Sequence, residues 1–159
     1  MPLVREYTPD DLAACVALLQ RGHDPRFDEA RFRWLHEQGP GGASRIVVCE
    51  DEGRIVGASA IIPRPAWLAG RLCLAGRDVD PVVDPAYRGR GLFSAMLEWL
   101  LAHRDGIEFL YNFANAASAP GFLKRGWREA GRVRDRVCQL GARPLSREQL
   151  LHLATYPRA

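Results

Sequence analysis

The 159-residue chain has no run of about 18 apolar residues, so no segment reads as a helical membrane span. Its first residues, Met-Pro-Leu-Val-Arg-Glu, do not read as a secretory signal peptide. No Cys-x-x-Cys occurs. Cys15, Cys49, Cys73 and Cys138 are widely spaced in apolar stretches, which predicts buried, reduced thiols and a cytoplasmic location. His23, His36, His103 and His152 lack metal-ligand spacing, so no metal site is expected. Basic runs with interleaved aromatics are also missing. A formal charge of +3, from 22 Lys+Arg against 19 Asp+Glu, does not imply nucleic acid but is compatible with a small anionic ligand.

What is present is enough for one globular domain over residues 1–159. With 47% hydrophobic and 26% charged residues, a chain of this length buries roughly 68–70% of its unfolded surface.

The chain is organised around Val82 to Leu97, Val-Val-Asp-Pro-Ala-Tyr-Arg-Gly-Arg-Gly-Leu-Phe-Ser-Ala-Met-Leu. Two β-branched residues end a strand, Asp84-Pro85 stops it, and Arg88-Gly89-Arg90-Gly91 turns into an apolar-periodic helix. The first N–H groups of a helix have no internal partner and carry partial positive charge, so a phosphate can satisfy both needs. Gly89 and Gly91 allow close backbone approach, and Arg88 and Arg90 add charge. Taken alone, Arg-Gly-Arg-Gly is equally a basic surface turn. A dinucleotide fingerprint competes through Gly89-x-Gly91-x-x-Ser94 with Glu108 about twenty residues on. Against it stand Ser94 in place of the third glycine, Glu108 at a strand's start, and too little chain after the turn. A P-loop is excluded because no Gly-Lys-Ser/Thr follows.

In chain order, Leu3 to Tyr7 reads as a strand and Thr8-Pro9-Asp10-Asp11 as the start of a helix carrying Leu12, Val16 and Leu19. A second helix is expected from Phe27 to Glu37, with Phe32 and Leu35 inward. Arg45 to Glu50 and Arg54 to Ile62 form a hairpin across Asp51-Glu52-Gly53. Pro63 to Gly76 is expected to be an extended, bent connection, leading to a strand at about Arg77 to Val83. Pro81 inside that strand demands a bulge or an unpaired edge. After the glycine turn, Leu92, Met96, Leu97, Leu100 and Leu101 define a helix through His103, closed by Asp105-Gly106. Ile107 to Phe113 then reads as a buried parallel strand with Ile107, Phe109, Tyr111 and Phe113 on one face. Trp127 to Leu140 is expected to be a sixth strand, and Ser146 to Ala154 a final helix opened by a capping box.

Two motifs carry a family resemblance. Pro85-x-Tyr87-Arg88-Gly89-Arg90-Gly91-Leu92 resembles the pyrophosphate loop of the GNAT superfamily of N-acetyltransferases, with Phe93 where Gly or Ala is usual. Asn115-x-x-Ser118-x-x-x-Phe122-x-Lys124-x-Gly126-Trp127 is similar to that family's Asn-x-x-Ala-x-x-x-Tyr-x-Lys-x-Gly-Phe. Together they cover residues 79–127. The resemblance implies an α/β fold: a mixed central sheet of about six strands, helices on both faces, and fourth and fifth strands that splay apart. It further implies acetyl-CoA as cosubstrate, held by Val82, Val83, Arg88, Gly89, Arg90, Gly91, Leu92, Phe93, Ser94, Asn115, Ser118 and Phe122. Backbone groups of Val82 and Val83 would pair with pantetheine amides, Asn115 would contact the pantetheine, and Ser118 would cap the next helix, with Pro120 in its first turn. The first helical pair would overlie the acceptor entrance, Phe27 to Trp34 either bordering the substrate or simply covering the sheet.

The reaction so implied is transfer of the acetyl group to an amine of a small molecule or a protein, by direct attack in a ternary complex. Asp80, and after it Asp78, are the candidate bases; alternation puts both on one face, and both also read as plain solvation of a bulged edge. Phe122 replaces the tyrosine often assigned as acid to the leaving thiolate, which leaves water, Tyr111, Tyr87 or the thiol's own acidity near pKa 8.5. A non-catalytic acyl-CoA-binding or regulatory domain is the alternative, and a nucleotide-linked oxidoreductase a third reading. An uncovered edge near Arg132 to Leu140 would favour a homodimer, unless the final helix covers it.

Overall fold

The computed structural model describes residues 2–116 and 118–131. The chain forms two compact units divided between Asn112 and Phe113.

The first unit is built on a five-stranded sheet in the order β1 (Leu3–Glu6), β2 (Arg45–Asp51), β3 (Arg54–Leu68), β4 (Arg71–Val83), β5 (Phe109–Tyr111). Every neighbouring pair is antiparallel except β4 and β5, which run parallel across a helical crossover. The period of two along the strands sends alternate side chains to two cores. On one face α1 (Leu12–Gly22) and α2 (Glu29–His36) supply Cys15, Leu18, Leu19 and Phe32 to a cluster with Val48, Ala60, Ile62, Val79 and Val82. On the other, α3 (Leu92–Ala102) lays Leu92, Met96 and Leu100 against Val47, Val56 and Ile61. Helices therefore cover both faces, and the fold is the mixed α/β arrangement expected. Cys15, Cys49 and Cys73 are buried free thiols; burial pushes Cys15 up to about 12 and Cys49 up to about 11, which leaves neither a nucleophile.

The stretch from Pro63 to Gly76 is not a bent connection. It is the far half of a long hairpin, with β3 running on to Leu68, a turn at Ala69-Gly70, both at positive φ, and β4 starting at Arg71 instead of Arg77. Proline is tolerated where a strand's N–H has no ladder partner. β2 stops pairing at Ile61, so Pro63 and Pro65, two apart and on one backbone edge, lie past its reach while β3 still pairs with β4.

Three boundaries also move. α2 begins at Glu29, where the Asp28 carboxylate accepts from the Arg31 N–H at 2.7 Å, two residues later than the apolar spacing indicated. The helix after the glycine turn ends at Ala102, with His103 as its cap. β5 is only three residues long and half-buried; Ile107 and Leu110 join the α3 core, while Phe113, expected within the buried strand on the same face as Ile107, lies beyond β5 and is 57% exposed. Pairing with β4 continues only while the two strands stay together, which limits β5 to that short span.

In the second unit, α4 (Ala119–Leu123) carries Phe122 against Trp127, ring centroids 4.9 Å apart. Residues 127–131 are not strand; the rest of the expected sixth strand, the helix at Ser146 to Ala154, the edge near Arg132 to Leu140, Cys138 and His152 lie outside the described residues.

Candidate functional site

Two features of β4 create the site in the first unit. The first is a bulge: Ala60 pairs with Val79 and Ala58 with Val82, so Ser59 alone stands opposite both Asp80 and Pro81. Asp80 adopts φ 53, a left-handed conformation that Asp tolerates better than most side chains. Val79 and Val82, three apart, consequently share one core. The alternation that put Asp78 and Asp80 on one face thus does not run through the bulge.

The second feature is the parting of β4 and β5. Their parallel pairing is Ala75–Phe109, Gly76–Leu110 and Arg77–Tyr111, so β4 beyond Arg77 has no β5 partner among the described residues. The Asp84 N–H donates to the Val56 carbonyl at 2.9 Å. In an antiparallel ladder, bonded and non-bonded pairs alternate. Val82, opposite Ala58, therefore turns its backbone groups to β3, and Val83 turns its own outward into the gap.

The bulge also holds the titratable groups. Asp78 is 7% exposed and shares its face with Ser59, itself 4% exposed and hydrogen-bonded to it. Burial, more than the neighbouring Asp80 charge, pushes the Asp78 carboxyl up to about 7, against the pull of the Ser59 bond. Asp80 is half-buried. On α2 the buried His36 packs against Phe32, ring centroids 4.5 Å apart and tilted by 55°, and its Nδ1 lies 3.1 Å from Ser44 Oγ. Burial holds His36 below the usual histidine range, while the Asp80 charge acts in the opposite direction.

Past Val83 a single turn of tight helix, Pro85–Tyr87, leads to the glycine turn. Gly89 at φ 76 and Gly91 at φ 80 are both left-handed, and Gly91 is the N-terminal cap of α3. A Cβ added at either position would meet nothing within 4 Å, so the turn opens onto free space. No protein acceptor among the described residues takes the N–H of Gly89, Arg90 or Gly91. Leu92 buries its side chain in the α3 core and offers only its backbone; Phe93 and Ser94 follow, half-buried, in the first turn.

The two arginines differ. Arg90 lies over the Tyr87 ring, 4.7 Å from its centroid, and donates to the Ala86 carbonyl at 3.0 Å. Arg88 is exposed and has one long contact, Nε to the Val83 carbonyl at 3.4 Å. The Tyr87 hydroxyl donates to Asp51 Oδ2 at 2.8 Å, so its proton is committed to a carboxylate and Tyr87 leaves the set of proton donors for a thiolate.

In the second unit the Asn115 side chain accepts from the Ser118 N–H at 2.9 Å, and Ser118 Oγ takes the Asn115 N–H at 3.1 Å. Ser118 occupies the cap position of α4 without a side-chain capping bond; its hydroxyl turns back to Asn115 instead of forward into the helix. Phe122 is 3% exposed and packs as an apolar anchor.

Ser59, His36 and Asp51 were not singled out as site residues. Ser59 carried a signal, one hydroxyl in the otherwise apolar run from Val56 to Ile62. His36 and Asp51 carried none, because their partners are distant in sequence.

Among the described residues no helix is long and apolar enough to cross a membrane, and no cluster of His, Cys, Asp or Glu could hold a metal ion. No curated protein matches the sequence. Among solved structures, an acetyltransferase from Trypanosoma brucei is 25% identical, with 89% of this chain and 99% of that chain covered at a TM-score of 0.64. Glucosamine-6-phosphate N-acetyltransferase from Arabidopsis thaliana is 21% identical, with 87% and 99% covered and a TM-score of 0.67. An aminoglycoside acetyltransferase from an uncultured soil metagenomic sample has the same identity and coverage at a TM-score of 0.68. At those two lower identities the likeness speaks for the fold alone. The profile described as acetyltransferase (GNAT) domain matches residues 3–130, which spans the parted strands, the glycine turn and both sequence motifs, and the chain belongs to that family.

Proposed function

We propose that the protein transfers the acetyl group of acetyl-CoA to an amine by direct attack within a ternary complex. The observation that carries this reading is the outward-facing backbone of Val83 beside the β4–β5 gap, continuous with a left-handed glycine turn in which the N–H groups of Gly89, Arg90 and Gly91 have no protein acceptor among the described residues. These residues fit an elongated ligand with an anionic end: Val83 supports an amide-bearing arm, and Gly89, Arg90, Gly91 and the first turn of α3 support a pyrophosphate. Acetyl-CoA supplies an acyl thioester activated toward nucleophiles.

The chain's own task is to make the acceptor nucleophilic. A lysine-like amine of pKa near 10.4 is neutral only about once in 2,500 molecules at pH 7, a deficit of about 4.6 kcal/mol. Asp80, half-buried at the bulge, takes that proton in this reading; Asp78 stands deeper, already holding a proton near neutrality. Phe122 donates none, so the departing thiolate is protonated by water or Tyr111, or leaves on its own low basicity. Asp80→Asn is the appropriate test because Asn keeps the left-handed backbone at φ 53, whereas Ala would add strain. It is expected to lower kcat at least tenfold, about 1.4 kcal/mol of barrier, with acetyl-CoA affinity unchanged. Full activity in Asp80→Asn across pH 6–9 would assign deprotonation to Asp78 or to solvent.

The substitution of Phe122 for the usual tyrosine favours a second reading, an acyl-CoA-binding domain without turnover. Release of free CoA in a panel of small-molecule and peptide amines separates the two.

A further inference from the structure

We propose that Asp51, at the end of β2, is a positioning residue for the glycine turn: it grips the Tyr87 hydroxyl, Tyr87 carries Arg90 on its ring, and Arg88 is left as the arginine that meets an anion. The assignment rests on the acyl-CoA reading above and adds to it which residues shape the turn and which touch the ligand.

A turn bracketed by two left-handed glycines is loose, because glycine restricts its own backbone least and loses the most freedom on being ordered. Within the turn itself the described hydrogen bonds are few: Tyr87 N–H to the Asp84 carbonyl at 2.8 Å, and a weak Arg88 N–H to the Pro85 carbonyl at 3.4 Å. Rigidity must come from outside, and two tethers supply it. At the front, the Asp84 carboxylate accepts from the Ala86 N–H at 3.0 Å and lies 3.9 Å from Arg21 on α1. At the back, Tyr87 reaches the β2–β3 hairpin and bonds Asp51 at 2.8 Å, a contact between residues 36 apart in sequence. That bond is charge-assisted and fixes the plane of the Tyr87 ring. Arg90, stacked on this ring and bonded to the Ala86 carbonyl, is drawn back along the turn. Gly89 and Gly91, on either side of it, are thereby held with N–H groups that have no protein acceptor among the described residues.

The charges argue for position over electrostatics. A carboxylate close to an anion site opposes anion binding. Asp51 is therefore useful there only through its hydrogen bond, and a neutral acceptor should serve as well or better. Among the described residues Arg88 has no comparable tether, since its one side-chain hydrogen bond is 3.4 Å long.

The test uses the full chain, with CoA and acetyl-CoA as probes. Asp51→Ala and Tyr87→Phe are each expected to raise the KM for acetyl-CoA and the Kd for CoA about fivefold, the weight of one hydrogen bond, with kcat unchanged. Because both remove the same bond, the double variant is expected to be no worse than either alone. Asp51→Asn should restore wild-type affinity or improve it. Arg88→Ala should flatten the dependence of KM on ionic strength, and Arg90→Ala should weaken binding while leaving that dependence in place. If Asp51→Ala and Tyr87→Phe lower the melting temperature but bind CoA as tightly as wild type, the bond is merely structural and the proposal is overturned. Equal loss in Asp51→Asn and Asp51→Ala overturns it too, since charge and not geometry would then matter. Wild type that does not bind CoA overturns the acyl-CoA reading itself, a result distinct from both.

Discussion

Acetyl-CoA at a hundred times its Kd is expected to stabilise the wild-type protein by about 2.7 kcal/mol and to leave Gly91→Val unshifted. For a chain of this size that corresponds to a rise of roughly 5–10 °C in Tm. The variant combines two effects. At φ 80 a β-branched side chain strains the backbone, and its Cβ projects into space that is open in the free protein. Strain alone would lower Tm without touching the ligand response. Gly91→Asn separates the two, because Asn accepts the left-handed conformation while still placing a Cβ at the turn. Loss of the acetyl-CoA shift in both variants assigns the space above Gly91 to the ligand; an undiminished shift in Gly91→Val removes the turn from the binding site. NAD should shift neither protein.

Asp78→Asn is expected to stabilise the protein above neutral pH by an amount on the order of 4 kcal/mol. The Asp78 carboxyl titrates at about 7 in the folded chain, against 3.8 as its ordinary value. Below pH 4 both folded and unfolded chains carry the proton, and the residue costs nothing. Between pH 4 and 7 only the unfolded chain has lost it, so each unit of pH subtracts about 1.4 kcal/mol of stability, and above pH 7 the loss is complete. Asparagine cannot ionise and can still hydrogen-bond Ser59. Melting curves of the two proteins should therefore nearly coincide at pH 4 and diverge progressively to pH 8, with the variant higher. A variant that is destabilised equally at every pH would mean that Asp78 is not a buried acid.

The residues legible in advance were those whose covalent structure narrows their backbone. Pro81 demands a bulge or an unpaired edge, and β4 has the bulge; Gly89 and Gly91 permit close backbone approach, and both take the left-handed conformation open to glycine, because neither reading depends on neighbours. Pro63 and Pro65 are ambiguous in the sequence for the converse reason. Whether proline interrupts a strand depends on which edge is paired, and that is decided by where β2 begins: its first residue, Arg45, pairs with Ile61, sixteen residues further along the chain in a different strand. The apolar alternation runs past the end of β5 because it continues after the backbones of β4 and β5 have parted. The proton on Asp78 is invisible for a similar reason: a strand pattern assigns a face, not the depth of burial that Asp78 reaches beside Ser59. Asp51 lies in a hairpin turn of ordinary composition, and nothing in Asp51-Glu52-Gly53 indicates that a tyrosine from another element will bond there.

The prolines of β3 bear on how the protein behaves in crowded solution. The hairpin end beyond Ile61 exposes Trp67 at 75% and Leu72 at 60%, paired across the two strands, which is the kind of sticky, strand-rich segment that seeds aggregation. A foreign strand adds to an edge by exchanging N–H and carbonyl bonds at every second residue. On the edge left bare by β2, two successive donors of that series are missing, at Pro63 and Pro65. An incoming chain could dock its side chains there but could not zip up. The two prolines in the part of the hairpin that outruns β2 thus keep that length from becoming a template for fibres.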